Sequence, residues 1–225
     1  MKSIWHILES DSPEEALHIA TANSRLEDMR ELIATGVDVN ARHKTIMSGQ
    51  SLDAPLHIAA TYGLFEPARL LVDAGADLNL IGGMDLTALM CACSCGGAEG
   101  DQIAQLLVER GADVTIVRES DGMTALKFAA KECGSATITA LIIAGADVDG
   151  PPNTDHTALM LAARGNNVPA IEVLVKYGAD PQRGCGLRWA LGKTAAWMAQ
   201  NEGSVDAFTF LNQLQAKEER NRTKP

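Results

Sequence analysis

A glycine returns at near-constant intervals along this chain: Gly36, Gly75, Gly111, Gly145 and Gly178 stand 39, 36, 34 and 33 residues apart. What precedes each of them is also alike. "EALHIATANSRLEDMRELIATGVD", "APLHIAATYGLFEPARLLVDAGAD", "TALMCACSCGGAEGDQIAQLLVERGAD", "TALKFAAKECGSATITALIIAGAD" and "TALMLAARGNNVPAIEVLVKYGAD" align, and a degraded sixth copy, "TAAWMAQNEGSVDAFTFLNQL", follows. A unit this short cannot enclose a core of its own, so each copy must bury its apolar faces against its neighbours.

The residues of one copy say how. Leu159, Ala162 and Ala163 recur three and four apart after the T-A-L step, the period of one helix face. That stripe is narrow and made of small side chains, which lets a second helix lie close, here one carrying Ile171, Leu174 and Val175 at the same spacing. Gly178 then sits where a helix end wants a left-handed residue, and an extended finger leads to the next copy. Composition agrees: aromatics are only 4% of a chain that is 46% hydrophobic, which favours many small, similar contacts. The end copies carry extra polar residues, Asn23, Ser24, Arg25, Glu27 and Asp28 in the first and Gln200, Asn201, Glu202, Asp206, Asn212 and Gln213 in the last, as water-facing caps require.

This pattern resembles the ankyrin repeat, whose signature is T-P-L-H-x-A in a unit of about 33 residues. "APLHIAA" (54–60) is the nearest copy, and the resemblance covers about six repeats over roughly residues 14–215. It implies an all-α fold, a solenoid of stacked helix-turn-helix units with β-hairpin-like finger loops. The expected organisation is a single domain over 1–215, with repeats at about 1–40, 41–79, 80–115, 116–149, 150–182 and 183–215, and a disordered basic tail over 216–225.

Several stretches invite a chemical reading. "TALMCACSCGG" sets Cys91, Cys93 and Cys95 at every second position. Residues two apart on a helix diverge by about 200°, so Cys91 and Cys93 cannot both ligate one ion, and no C-x-x-C pair or nearby histidine completes a zinc set. They are expected to pack as small hydrophobes, while Cys95, at the exposed end of its helix, is the thiol open to modification or redox switching. "GLRWALGKT" (186–194) imitates a phosphate-binding loop but encloses five residues where that motif has four, with no strand before it. Gly192 and Thr194 read instead as the start of the sixth copy, with Lys193 pointing from a fingertip. Histidines 18 and 57 occupy the histidine of the signature, where the resemblance implies hydrogen bonds to the backbone between units. No hydrolase, zinc-protease or paired-carboxylate pattern is present. No enzyme, metal or cofactor is expected.

In proteins this chain resembles, partners bind a concave surface of fingertips and exposed inner-helix faces. The matching positions here are Arg42, His43, Lys44, Met47, Met84, Asp85, Glu119, Asp121, His156, Arg188 and Trp189 in the fingers, and Tyr62, Cys95, Lys131, Glu132 and Arg164 on inner helices. Tyr62, Arg188 and Trp189 are the favoured anchors, because aromatic and arginine side chains dominate interface hot spots. Two fingers, 41–53 and 181–193, are lengthened, which adds either specificity or a tolerated loop. The turn "GGAEGD" between the helices of the third copy reads as slack.

Residues 1–160 hold 23 acids against 10 Lys and Arg, a balance of −13, and residues 161–225 hold 6 against 9, or +3. That excludes nucleic acid and fits a basic protein partner as well as it fits simple solubility. With no signal-peptide pattern or membrane span, a cytoplasmic protein, monomeric when unbound, is expected. The functional expectation is a non-enzymatic protein-binding module, a stoichiometric inhibitor of the immunity type in its sharper form. An adaptor or assembly chaperone joining two proteins is the alternative, and a thiol- or metal-dependent enzyme or sensor is a third reading.

Overall fold

The computed structural model describes residues 10–44, 52–150, 156–186 and 191–222. They form two compact units, residues 1–113 and 114–225. The first contains α1 (Pro13–Ala22), α2 (Leu26–Ala34), β1 (His43–Lys44), β2 (Leu52–Asp53), α3 (Pro55–Thr61), α4 (Phe65–Asp73), α5 (Ala88–Cys95) and α6 (Gly97–Glu109). The second contains α7 (Ala125–Glu132), α8 (Ser135–Ile143), α9 (Ala158–Arg164), α10 (Val168–Lys176), α11 (Ala195–Glu202) and α12 (Val205–Arg222). Successive helices pair as hairpins. In the first unit α3 packs between α1 and α5, and α4 between α2 and α6; in the second, α9 packs between α7 and α11, and α10 between α8 and α12.

Small residues make this possible. Ala16, Ala20, Ala59, Ala60 and Ala92 in the first unit, and Ala129, Ala130, Ala162, Ala163 and Ala199 in the second, are wholly buried where inner helices meet. Between them Leu17, Leu56, Leu89, Leu126 and Leu159 fill the seams, each contributing about 2–3 kcal/mol by leaving water.

Three inner helices, α5, α7 and α9, are capped by the repeated threonine. The hydroxyl oxygens of Thr87, Thr124 and Thr157 accept the N–H of Met90, Lys127 and Met160 at 3.2, 3.3 and 3.2 Å, satisfying donors the first helical turn leaves open. Ala54 replaces that threonine in the second finger, and Pro55 at the first helical position needs no acceptor. The outer helices α2, α4, α6, α8 and α10 stop just before the repeated glycine. Gly75 and Gly111 have φ of +85° and +87°, and the next N–H groups, of Ala76 and Ala112, return to the Leu71 and Leu107 carbonyls at 3.0 and 2.9 Å, the closure a left-handed residue permits.

The G-A-D ends have their own task. Asp77 Oδ1 accepts the N–H of Asn79 two residues on at 2.9 Å, and the Asp77 N–H donates to Asn40 Oδ1 of the preceding finger at 2.8 Å. Asn79 holds the Asp113 N–H in the same way, and in the second unit Asp149 holds that of Asp180 at 3.2 Å. Finger is thus pinned to finger through backbone N–H groups.

Three local expectations are corrected. The basic end from 216 is helical through Arg222 as part of α12. Its residues are good helix formers with no glycine or proline before Pro225, and Gln215 donates to Glu219 one turn on at 3.1 Å. "GGAEGD" is the first turn of a 13-residue α6 rather than slack. The helix fits there because Gly100 has no Cβ: one would lie 2.7 Å from the Ala92 carbonyl oxygen. Lys193 does not point away; its ammonium lies 5.5 Å over the Trp197 ring.

Candidate functional site

Both histidines of the signature bind backbone of the following finger. His57, 1% exposed, directs Nε2–H at the carbonyls of Leu80 and Leu86, 2.9 and 3.2 Å away. His18 sets Nε2 2.9 Å from the Asp53 carbonyl oxygen and Nδ1 2.8 Å from that of Glu14. Burial holds both rings below the ordinary histidine value, against the pull of the carbonyls and of the Asp53 carboxylate. In the fourth copy that position is Lys127, 2% exposed, whose ammonium donates to the Gly122 carbonyl of its own finger at 2.7 Å.

The His57 clamp shapes the finger beyond it. Gly82 lies so close to the His57 ring that a Cβ would come within 2.5 Å of Cδ2 and 2.7 Å of Asp53 Oδ1. Gly83 N–H donates to Asp53 Oδ1 at 2.7 Å. The chain then turns through Met84 and Asp85, both at φ +56°, a left-handed conformation costing a non-glycine residue roughly 1–2 kcal/mol. The turn projects Met84, 74% exposed, over the ends of α3 and α5.

Beneath Met84 is a pocket of about 220 Å³ with Leu86, Cys91 and Cys95 among its walls and Thr61, Ser94 and Asp53 supplying polar groups. Cys91 is a poor nucleophile here: burial pushes its thiol up to about 11, against the pull of a hydrogen bond with Thr61. Cys95 is exposed and Tyr62, beside Thr61, is 46% exposed. The first unit therefore gathers two of the expected contact residues, Met84 and Cys95, around one depression, with Asp85 exposed on its finger and Tyr62 next in sequence to the lining residue Thr61.

The other expected residues are spread. Arg42 is exposed, and the His43 ring lies 5.5 Å from that of His18, tilted 50° to it, with Nε2 3.8 Å from Glu15 Oε1. Lys44 pairs with Leu52 through the antiparallel ladder of β1 and β2. In the second unit Asp121 is taken up internally. Arg118 Nε–H donates to its Oδ1 at 2.8 Å, a second guanidinium N–H reaches Oδ2, and this pair holds the carboxyl below its usual range. The same guanidinium lies 5.4 Å from the Phe128 ring centre. Glu119 is exposed beside it. Lys131 and Glu132 pair at 2.5 Å, and Arg164 pairs with Glu202 at 3.2 Å. His156 is half-buried before the Thr157 cap. Met47, Arg188 and Trp189 lie outside the described residues.

Asp53, Arg118 and Lys127 were not singled out from sequence. A signal for Asp53 exists: the residue before the cap position is Leu86, Met123, His156 or Lys193 in later copies, and here it is a carboxylate. Among the described residues no group of three or more His, Cys, Asp or Glu could hold a metal ion, and no described helix is long and apolar enough to cross a membrane.

The family model for ankyrin repeats (3 copies) matches residues 56–151, 89–185 and 126–223, together most of the chain. With paired helices, phased glycines and the His57 clamp in register with that match, the chain belongs to the ankyrin-repeat family and is a protein–protein interaction module.

Proposed function

We propose that this module acts by occupying a partner protein, as a stoichiometric inhibitor without catalysis of its own, through fingertips and inner-helix ends. The observation that carries this is the Met84 turn. A non-glycine pair in a left-handed conformation holds a large apolar side chain out in water at a pocket it shares with exposed Cys95, and backbone strain kept at a surface is commonly a binding feature. The groups that catalysis would recruit are committed elsewhere. His18 and His57 face backbone carbonyls, Asp121 is held by Arg118, and Cys91 and Cys93 are buried. A basic partner, six repeats counting the degenerate first and last copies, a monomeric free state and a cytoplasmic setting complete the reading. An adaptor role is favoured by one fact: residues 1–113 carry 17 acids against 7 bases and residues 114–225 carry 12 against 12, and so offer chemically different surfaces.

The test is capture of the natural partner from the source cell by the tagged full chain, followed by assay of that partner. A 1:1 complex in which the partner's activity is lost supports the inhibitor. An active ternary assembly supports the adaptor, and turnover of a captured small molecule by the chain itself would refute both.

A further inference from the structure

The pocket under Met84 combines features that the protein-binding reading leaves unused. At about 220 Å³ it is below the size range of small-molecule and cofactor sites and admits one long side chain. Met84 and Leu86 give it apolar walls, and Asp53 gives it a carboxylate. That carboxylate has capacity to spare: Oδ1 accepts the Gly83 N–H, and Oδ2 accepts no hydrogen bond among the described residues, whereas an ionised carboxyl has about four lone-pair sites. Thr61 and Ser94 add hydroxyl acceptors at the exposed edge. Charge around it has the same sign. Residues 1–113 hold 17 Asp and Glu against 7 Lys and Arg, 17 − 7 = 10 excess negative charges, the whole net charge of the chain.

An aliphatic stem against thioether and leucine, with a positive head over a carboxylate, is the shape of one kind of side chain. We infer that this pocket receives an arginine or lysine side chain projecting from the partner protein, with Asp53 as counter-ion and Met84 closing over the stem. The inference rests on the protein-binding reading but names its own residues. Arg42, exposed on the preceding finger and near enough to His57 to act on it electrostatically, is a competing cation of the chain itself, outside the pocket wall.

The experiment titrates the full-length isotope-labelled chain with N-acetyl-arginine amide, N-acetyl-lysine amide and uncharged N-acetyl-norleucine amide, following backbone amide resonances. A cationic probe should shift Gly83, Ser94 and Cys95 saturably, and norleucine amide should shift them at least about tenfold more weakly, as loss of a charged hydrogen bond implies. Asp53→Asn keeps an acceptor for the Gly83 N–H and removes the charge, so it should cost the cationic probes about tenfold, while Arg42→Gln should tighten them. Equal shifts from norleucine amide, unchanged binding in Asp53→Asn, or silence at these resonances with both cationic probes would overturn the inference. Those outcomes leave partner capture untouched, and failure to capture any protein would sink the binding-module reading without altering the measured probe affinity.

Discussion

Cys91 and Cys95 stand one helical turn apart on α5 and border the same pocket, yet their surroundings make them chemically unlike. The Cys91 thiol, pushed up to about 11 from 9.0 by burial, has about a hundredfold less thiolate at pH 8 than an unperturbed one, and only the thiolate attacks. Iodoacetamide added to the native chain should therefore place its first adduct on exposed Cys95, with buried Cys91, Cys93, Cys133 and Cys185 reacting only after unfolding; peptide mass mapping over time checks the order, and early labelling of Cys91 would contradict it. The exposure of Cys95 was legible in the sequence, because the repeat phase puts it at the free end of its helix. The pocket itself was not. It depends on Asp53 standing one residue before a helix start whose cap threonine is replaced, and on two left-handed residues at Met84 and Asp85, neither of which helical periodicity reports.

At the scale of elements, the finger following α3 hangs on one imidazole. His57 directs Nε2–H to the Leu80 and Leu86 carbonyls, and its buried Nδ1 has no hydrogen-bond partner among the described residues. Protonation would place an N–H at Nδ1 with nothing to accept it. Burial lowers this ring's affinity for protons below the ordinary 6.5, and that of His18 likewise, so the unfolded chain binds more protons than the folded one as pH falls past about 6.5. Stability from these clamps is accordingly present above that value and lost progressively below it, through the folded-state values. The midpoint of urea unfolding should fall between pH 7.5 and the acid side of that window. His57→Gln should be less stable at pH 7.5 and show a shallower decline; a decline as steep as the parent's would assign the acid sensitivity elsewhere. The clamps themselves were readable from L-H at 17–18 and 56–57, whereas Lys127 in the same position was not, since only the fold shows the Gly122 carbonyl within its reach. The end of α12 is helical where its charge predicts disorder, because Gln215, Glu219 and their neighbours continue a helix anchored by buried Ala207 and Leu211.

For the whole molecule, what distinguishes one end of the sequence from the other is charge. Residues 1–113 carry 17 acids against 7 bases, and residues 114–225 carry 12 against 12, so the net −10 belongs entirely to the first unit. Several acids of the second unit are neutralised where they stand, Asp121 by Arg118, Glu132 by Lys131 and Glu202 by Arg164. Local pairs of this kind add little stability at a surface, but they cancel the field a partner would feel. On the first unit Asp53 and Asp85 belong to no ion pair among the described residues, and a field of one sign beside a pocket raises the encounter rate with an opposite charge. If the partner is basic, as proposed, its association rate with the full chain should drop about tenfold or more on going from roughly 50 to 500 mM salt, as the screening length shortens below 10 Å. Dissociation should change less, because contacts made in the bound state are close and partly dry. Asp85→Asn, on the exposed turn, should lower the association rate and its salt dependence, with unfolding unaltered. Stopped-flow association across a salt series decides the matter. A rate indifferent to salt would mean that the acids of residues 1–113 keep the chain soluble and steer nothing.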